Sequence, residues 1–171
     1  MRWFKLVMLL AAVLVLETIY FASGDSLILW FSPQPLAWLV TFVGFLFGPM
    51  TGLLWGTLAG FCEEMALMGP AGIYGLTPLV YLWLGYLSGK IFHGRADGDN
   101  PAIGALLTVG AIIVSQISGS LLGMLFSTTC NLAAGPLTIG RAVAFVLQAG
   151  VLGPFALPLL KRLLGVRGYS S

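Results

Sequence analysis

From Ser26 to Cys62 the chain runs 37 residues without a charged side chain. Three more such runs follow: 25 residues from Met65 to Gly89, 41 from Asn100 to Gly140 and 19 from Ala142 to Leu160. A bilayer core about 30 Å thick is crossed by about 20 residues of helix, so each run is about as long as a membrane span or longer. Charged residues make up 8% of the chain, against roughly 25% in an average soluble domain. That is too few to clothe a water-facing surface, and it argues against a soluble globular domain, a disordered chain and a nucleic-acid binder. A transmembrane β-barrel would alternate polar and apolar positions over segments of about ten residues. The stretches Leu6–Leu16 and Ala105–Val114 do not alternate. The expectation is an all-α integral membrane protein: six transmembrane helices in one compact bundle, a single domain over 1–171.

Turn signals divide the apolar sequence at Gly24-Asp25, Gly48-Pro49, Gly69-Pro70, the polar stretch from His93 to Pro101, and Asn131 to Pro136. The predicted spans are 6–22, 26–47, 49–68, 72–91, 102–126 and 141–160. Ser32-Pro33-Gln34-Pro35 interrupts the second, which is broken, tilted or partly outside the membrane. Arg2 to Lys5 followed by an apolar stretch and Phe21-Ala22-Ser23-Gly24 is similar to a secretory signal peptide. Glu17 falls where the apolar region of such a signal should still be running, so an uncleaved first span is expected.

Six spans bring the N-terminus, the 92–101 loop and the C-terminus to one side. That side collects Arg2, Lys5, Lys90, Arg95, Lys161, Arg162 and Arg167, seven of the eight basic residues. Basic loops stay in the cytoplasm, so both termini are predicted to be cytoplasmic. These clusters would attract anionic lipid at about 1 kcal/mol per basic residue near the surface. The opposite side holds Glu17, Asp25, Glu63, Glu64 and Arg141. Trp30, Phe31, Trp38, Tyr20, Phe21 and Phe92 read as interface anchors.

Nothing in the sequence has the spacing of an active site. There is no phosphate-binding glycine loop, no His-Glu-x-x-His and no Cys-x-x-Cys. His93 is the one histidine and falls in a loop beside Arg95 and Asp97. Cys62 and Cys130 stand alone in their segments and read as apolar thiols rather than a bridge. No enzyme activity, cofactor or metal site is expected.

Glycine recurs at every fourth position: Gly44, Gly48, Gly52, Gly56 and Gly60. Gly52, Gly56 and Gly60 lie on the third span, where removing side chains lets two helix backbones approach. Gly85/Gly89 and Gly119/Gly123 repeat the spacing on the fourth and fifth spans. Two readings stay open: tight packing within this protein, or a docking face for a helix of a partner.

Glu63 and Glu64 close the third span, and Glu17 lies in the first. At 1.5 Å per residue, Glu64 sits roughly 6 Å and Glu17 roughly 8 Å inside the outer ends of their spans. Arg141 opens the sixth span at the same predicted level, so an intramembrane ion pair of Arg141 with Glu64 or Glu17 is expected. Both Glu63 and Glu64 border the glycine stripe, and the helical wheel does not choose between them. Gln116 and Gln148 read as interhelical hydrogen-bonding groups.

The stretch from Gly48 to Glu64, followed by Gly69, Pro70, Gly72 and Gly75, resembles the signature of the rod shape-determining protein MreD family. There a glycine-spaced third helix ends in an acid, usually Asp, and a short Gly/Pro turn leads into a fourth helix. Gly52, Gly56, Gly60, the turn residues Gly69 and Pro70, and Gly72 match that pattern; Glu64 stands at the acid's position as Glu. The resemblance implies a non-catalytic scaffold of the cell-elongation machinery in the bacterial cytoplasmic (inner) membrane. Its partners would be the single-span protein MreC, with the peptidoglycan polymerase RodA, the transpeptidase PBP2 and the actin-like MreB contacted directly or indirectly. Gly52, Gly56, Gly60, Glu63 and Glu64 would then form the partner-helix docking face, with Glu64 setting register.

An alternative from another class is the substrate-binding S component of an energy-coupling-factor vitamin transporter, of similar size and span number. Many such subunits carry Ala-x-x-x-Ala on the first span. Here Ala11 and Ala12 are followed four residues later by Val15 and Leu16, so that motif is missing. A proton or small-molecule carrier using Glu17 and Glu64 would call for an inverted repeat of broken helices, which is not evident.

Overall fold

The computed structural model describes residues 2–22, 35–66, 75–95, 100–125 and 139–165. They form six α-helices: α1 (Arg2–Ala22), α2 (Pro35–Phe47), α3 (Pro49–Ala66), α4 (Leu76–Phe92), α5 (Pro101–Leu125) and α6 (Ile139–Leu164).

The helices alternate in direction, as a few contacts establish. Trp3, near the start of α1, lies against Phe47 at the end of α2 and stacks on Trp55 in α3, with ring centroids 6.4 and 6.3 Å away. Gly89, near the end of α4, packs on Pro49 at the start of α3. The Lys5 ammonium donates to the Leu163 carbonyl at 3.1 Å, joining the start of α1 to the end of α6. Gly104, early in α5, meets Gly153 and Leu157 of α6. Lys5, Lys90, Lys161 and Arg162 therefore gather at one end of the bundle, and the three described acids on α1 and α3 lie toward the other.

The second helix differs from expectation. It begins at Pro35 rather than Ser26, with proline at the first helical position, where its missing N–H removes nothing. Residues 26–34 lie outside the described residues. At 13 residues, α2 is about 20 Å long. It is apolar around its whole circumference, and Leu36 through Phe45 are all buried. It touches α1, α3, α4 and α5, which makes it the hub of the bundle. Trp38 is correspondingly a core residue, 7% exposed, and not an interface anchor.

The chain reverses between α2 and α3 through Gly48 alone, at φ 94°. That left-handed conformation strains any side chain with a Cβ. Among the described residues, no helix is long and apolar enough to cross a membrane. The outward surfaces are nonetheless apolar: Phe4, Met65 and Phe155 are 71%, 79% and 72% exposed.

Candidate functional site: the acidic end of the helical hairpin

The site is built on the α3–α4 hairpin, the most extensive helix pair among the described residues. Its seam is made by the glycines. A Cβ on Gly52 would run into the Gly85 carbonyl and come within 2.7 Å of the Gly44 Cα. One on Gly56 would strike the Tyr81 carbonyl, and one on Gly60 would strike Pro78. The α4 residues facing the stripe, Pro78, Tyr81, Gly85 and Gly89, follow at intervals of three, four and four, one face of a helix. Gly44, Gly52 and Gly85 bring three backbones from α2, α3 and α4 together at one point.

This corrects one expected role. Gly52, Gly56 and Gly60 do not offer a docking face to a partner helix, because a helix of the same chain occupies it at backbone contact. Tight internal packing is what the stripe does.

The same close approach places Glu64. Its carboxylate is buried and accepts two backbone N–H groups of the α4 entry: Gly75 to Oε2 at 2.8 Å and Thr77 to Oε1 at 2.9 Å. The first N–H groups of a helix have no partner within it, and a carboxylate there is favoured by hydrogen bonding and by the helix dipole. Gly75, at φ 103°, supplies the left-handed turn and offers no side chain of its own as a cap. Glu64 therefore caps α4 from the end of α3. The turn residues Gly69, Pro70 and Gly72 lie outside the described residues.

Glu63 points elsewhere. Its carboxyl hydrogen-bonds the Tyr81 hydroxyl and lies close enough to Glu17 for the two to act on each other electrostatically. Glu17 is 4% exposed. One oxygen of each, Glu17 Oε2 and Glu63 Oε2, is buried without a hydrogen-bond partner, as is Trp38 Nε1. The acidic end thus holds two environments: Glu64, with both oxygens satisfied, and the Glu17–Glu63–Tyr81 group, with two oxygens left over.

The expected pairing with Glu64 or Glu17 involves Arg141, whose backbone lies in α6 but whose side chain is not described. Glu64 has both oxygens engaged without it. The side chains of Gln116 and Gln148 are likewise not described. Cys62 is a half-buried free thiol, and Cys130 is not among the described residues. No group of three or more His, Cys, Asp or Glu suited to a metal ion occurs among the described residues.

The structural roles of three residues escaped the sequence reading. Tyr81 shares the α4 face of Pro78 and Gly85, and that complementary spacing was a readable signal. His93 Nδ1 lies 2.8 Å from the Phe45 carbonyl, tying the segment after α4 to the last turn of α2. No local pattern announces a contact between residues so far apart in sequence. Ser88 acts similarly, donating to the Thr41 carbonyl at 2.9 Å.

No protein-family model matches the chain, and neither a curated protein nor a solved structure matches it.

Proposed function

We propose that this protein is a non-catalytic membrane scaffold of the bacterial cell-elongation machinery, as the MreD-like sequence signature implies. The observation that carries the reading is that the residues of that signature act as one structural unit. Gly52, Gly56 and Gly60 admit α4 to backbone contact, and Glu64 and Gly75 together start it. Nothing in this unit resembles a reaction centre; it makes a rigid hairpin.

The membrane part of the reading is supported by where the apolar side chains point. Large ones are exposed on α1 (Phe4, Met8, Leu16), α3 (Met50, Leu54, Met65), α4 (Trp83), α5 (Leu106, Ile117) and α6 (Leu147, Phe155, Leu159). Soluble monomers seldom expose contiguous apolar patches above a few hundred Å², whereas lipid solvates such a surface. The short α2 does not weigh against this, because a buried segment at membrane depth need not cross the bilayer as one helix.

With the glycine stripe closed by α4, the face that α3 leaves for an MreC-like partner is its outward one: Met50, Leu54, Leu58, Phe61 and Met65, all exposed at helical spacing. The test is co-purification of the tagged protein with the MreC-like protein of the same genome from detergent-solubilised membranes. Recovery of the partner from the native protein, and its loss in a Leu58→Ala/Phe61→Ala variant of unchanged thermal stability, supports the reading. Tight binding of a vitamin to the purified protein, with no partner recovered, overturns it.

A further inference from the structure

The Glu17–Glu63 pair is a charged feature that neither the hairpin nor the proposed scaffold uses. Glu64 beside it has its hydrogen-bonding needs met, both oxygens receiving backbone N–H groups at a helix N-terminus. Glu17 and Glu63 have no such arrangement. They come from different helices, α1 and α3, and converge in the interior, where each keeps a buried oxygen without a partner. The titratable groups facing them are Glu64 from α3 and Tyr81 from α4; no basic side chain acts on either acid among the described residues. A buried carboxylate needs a counter-charge or a proton to be tolerated.

We propose that Glu17 and Glu63 together hold one exchangeable monovalent cation, a proton or an alkali ion, between their two unpartnered oxygens. The chemistry of the donors sets the class of ligand. A calcium ion takes six to eight oxygens and magnesium an octahedral set, and among the described residues no third metal-ligating carboxylate joins this pair. The Tyr81 hydroxyl, bonded to Glu63, holds that carboxyl in place while Glu63 Oε2 stays without a hydrogen-bond partner. Burial keeps the occupant small: Glu17 is closed off from the surface, which excludes an organic cation. The proposal rests on the convergence of the two acids and on the buried, unpartnered oxygen of each, and is independent of the scaffold reading.

Carbodiimides modify a buried carboxyl when it carries a proton, and a bound cation protects it. The experiment treats the purified full-length protein in detergent with dicyclohexylcarbodiimide and reads Glu17, Glu63 and Glu64 by mass spectrometry of chymotryptic peptides. The expected result is labelling at Glu17 or Glu63 and none at Glu64. Labelling that is lost as pH rises, and that ignores sodium chloride, identifies the occupant as a proton. Labelling at fixed pH that is suppressed by sodium or potassium chloride but not by choline chloride identifies an alkali ion. Glu17→Gln and Glu63→Gln, each checked for unchanged thermal stability, should remove any suppression by sodium or potassium at the remaining acid and shift the pH at which its labelling is lost. Absence of labelling at both acids at every pH overturns the proposal, as does labelling indifferent to both pH and salt. Labelling that appears only in Arg141→Leu also overturns it, by assigning the counter-charge to Arg141.

Discussion

The backbone N–H of Gly75 donates to Glu64 Oε2 at 2.8 Å, so the side chain that ends one helix begins the next. Thr77 completes the cap through the other oxygen at 2.9 Å. Replacing an N-cap acceptor by alanine costs about 0.5–2 kcal/mol, and hydrogen bonds to charged groups lie in the upper part of such ranges. Glu64→Ala should therefore lower stability by about 2 kcal/mol, and Glu64→Gln, which keeps one acceptor, by less. Thermal unfolding in detergent followed by circular dichroism measures both. Equal stability of Glu64→Ala and the native protein would remove the cap from the account.

The glycines are not equivalent, and alanine scanning should sort them. A Cβ on Gly56 collides with the Tyr81 backbone, while one on Gly110 meets nothing within 4 Å. Overpacking of this kind costs about 1–3 kcal/mol, so Gly56→Ala should lower the unfolding midpoint. Gly110→Ala, in the middle of α5, should raise stability by about 0.5–1 kcal/mol through the better helix propensity of alanine. The same detergent melt reads both. Identical behaviour of the two variants would mean that α3 and α4 do not touch along the stripe.

His93 ties the segment following α4 to the Phe45 carbonyl at 2.8 Å. Its ring also lies 3.5 Å from where a Gly48 Cβ would stand. His93→Ala should cost about 1 kcal/mol, the usual net contribution of one hydrogen bond. Local opening should then be faster at the α2–α3 turn, read as increased amide exchange of residues 46–50 by mass spectrometry. Protection unchanged there would show that the ring does not brace the turn.

Leu54 tests the solvent of the outer surface. It is 65% exposed on α3. An acidic residue near the middle of an inserted helix is unfavourable by about 2.5–3.5 kcal/mol, so Leu54→Asp should reduce the fraction retained in membranes after alkaline carbonate extraction. If water covers that face, the substitution leaves the distribution unchanged or improves yield of dispersed protein, and the membrane assignment falls.

Much of the fold was readable from local patterns. The charge-free runs and turn signals predict six helices, and six are found among the described residues. The boundaries of α1, α3 and α5 fall within a few residues of expectation, and the glycine spacing marks α3 as a close-packing helix. The second helix departs most. Its apolar run extends over 26–47, but the described helix starts at Pro35, and Trp38 faces the core because α2 is enclosed on all sides. An apolar residue in an apolar helix carries no periodic signal for which neighbour it will meet.

Within the site the same limit decides what could be read. Glu63 and Glu64 are adjacent, about 100° apart on one helix, and both border the stripe, so a wheel assigns neither. The return of α4 across the glycines puts its orphan N–H groups over Glu64 and its Tyr81 hydroxyl over Glu63; the two acids differ only once that helix is in place. Composition and spacing by themselves determined that the chain would be helical and apolar, with its glycines on one ridge and its acids toward one end. Only the tertiary structure decided that the ridge closes on the chain's own fourth helix and that Glu17 joins Glu63. Those outcomes depend on the register between helices distant in sequence, and no residue encodes that register alone.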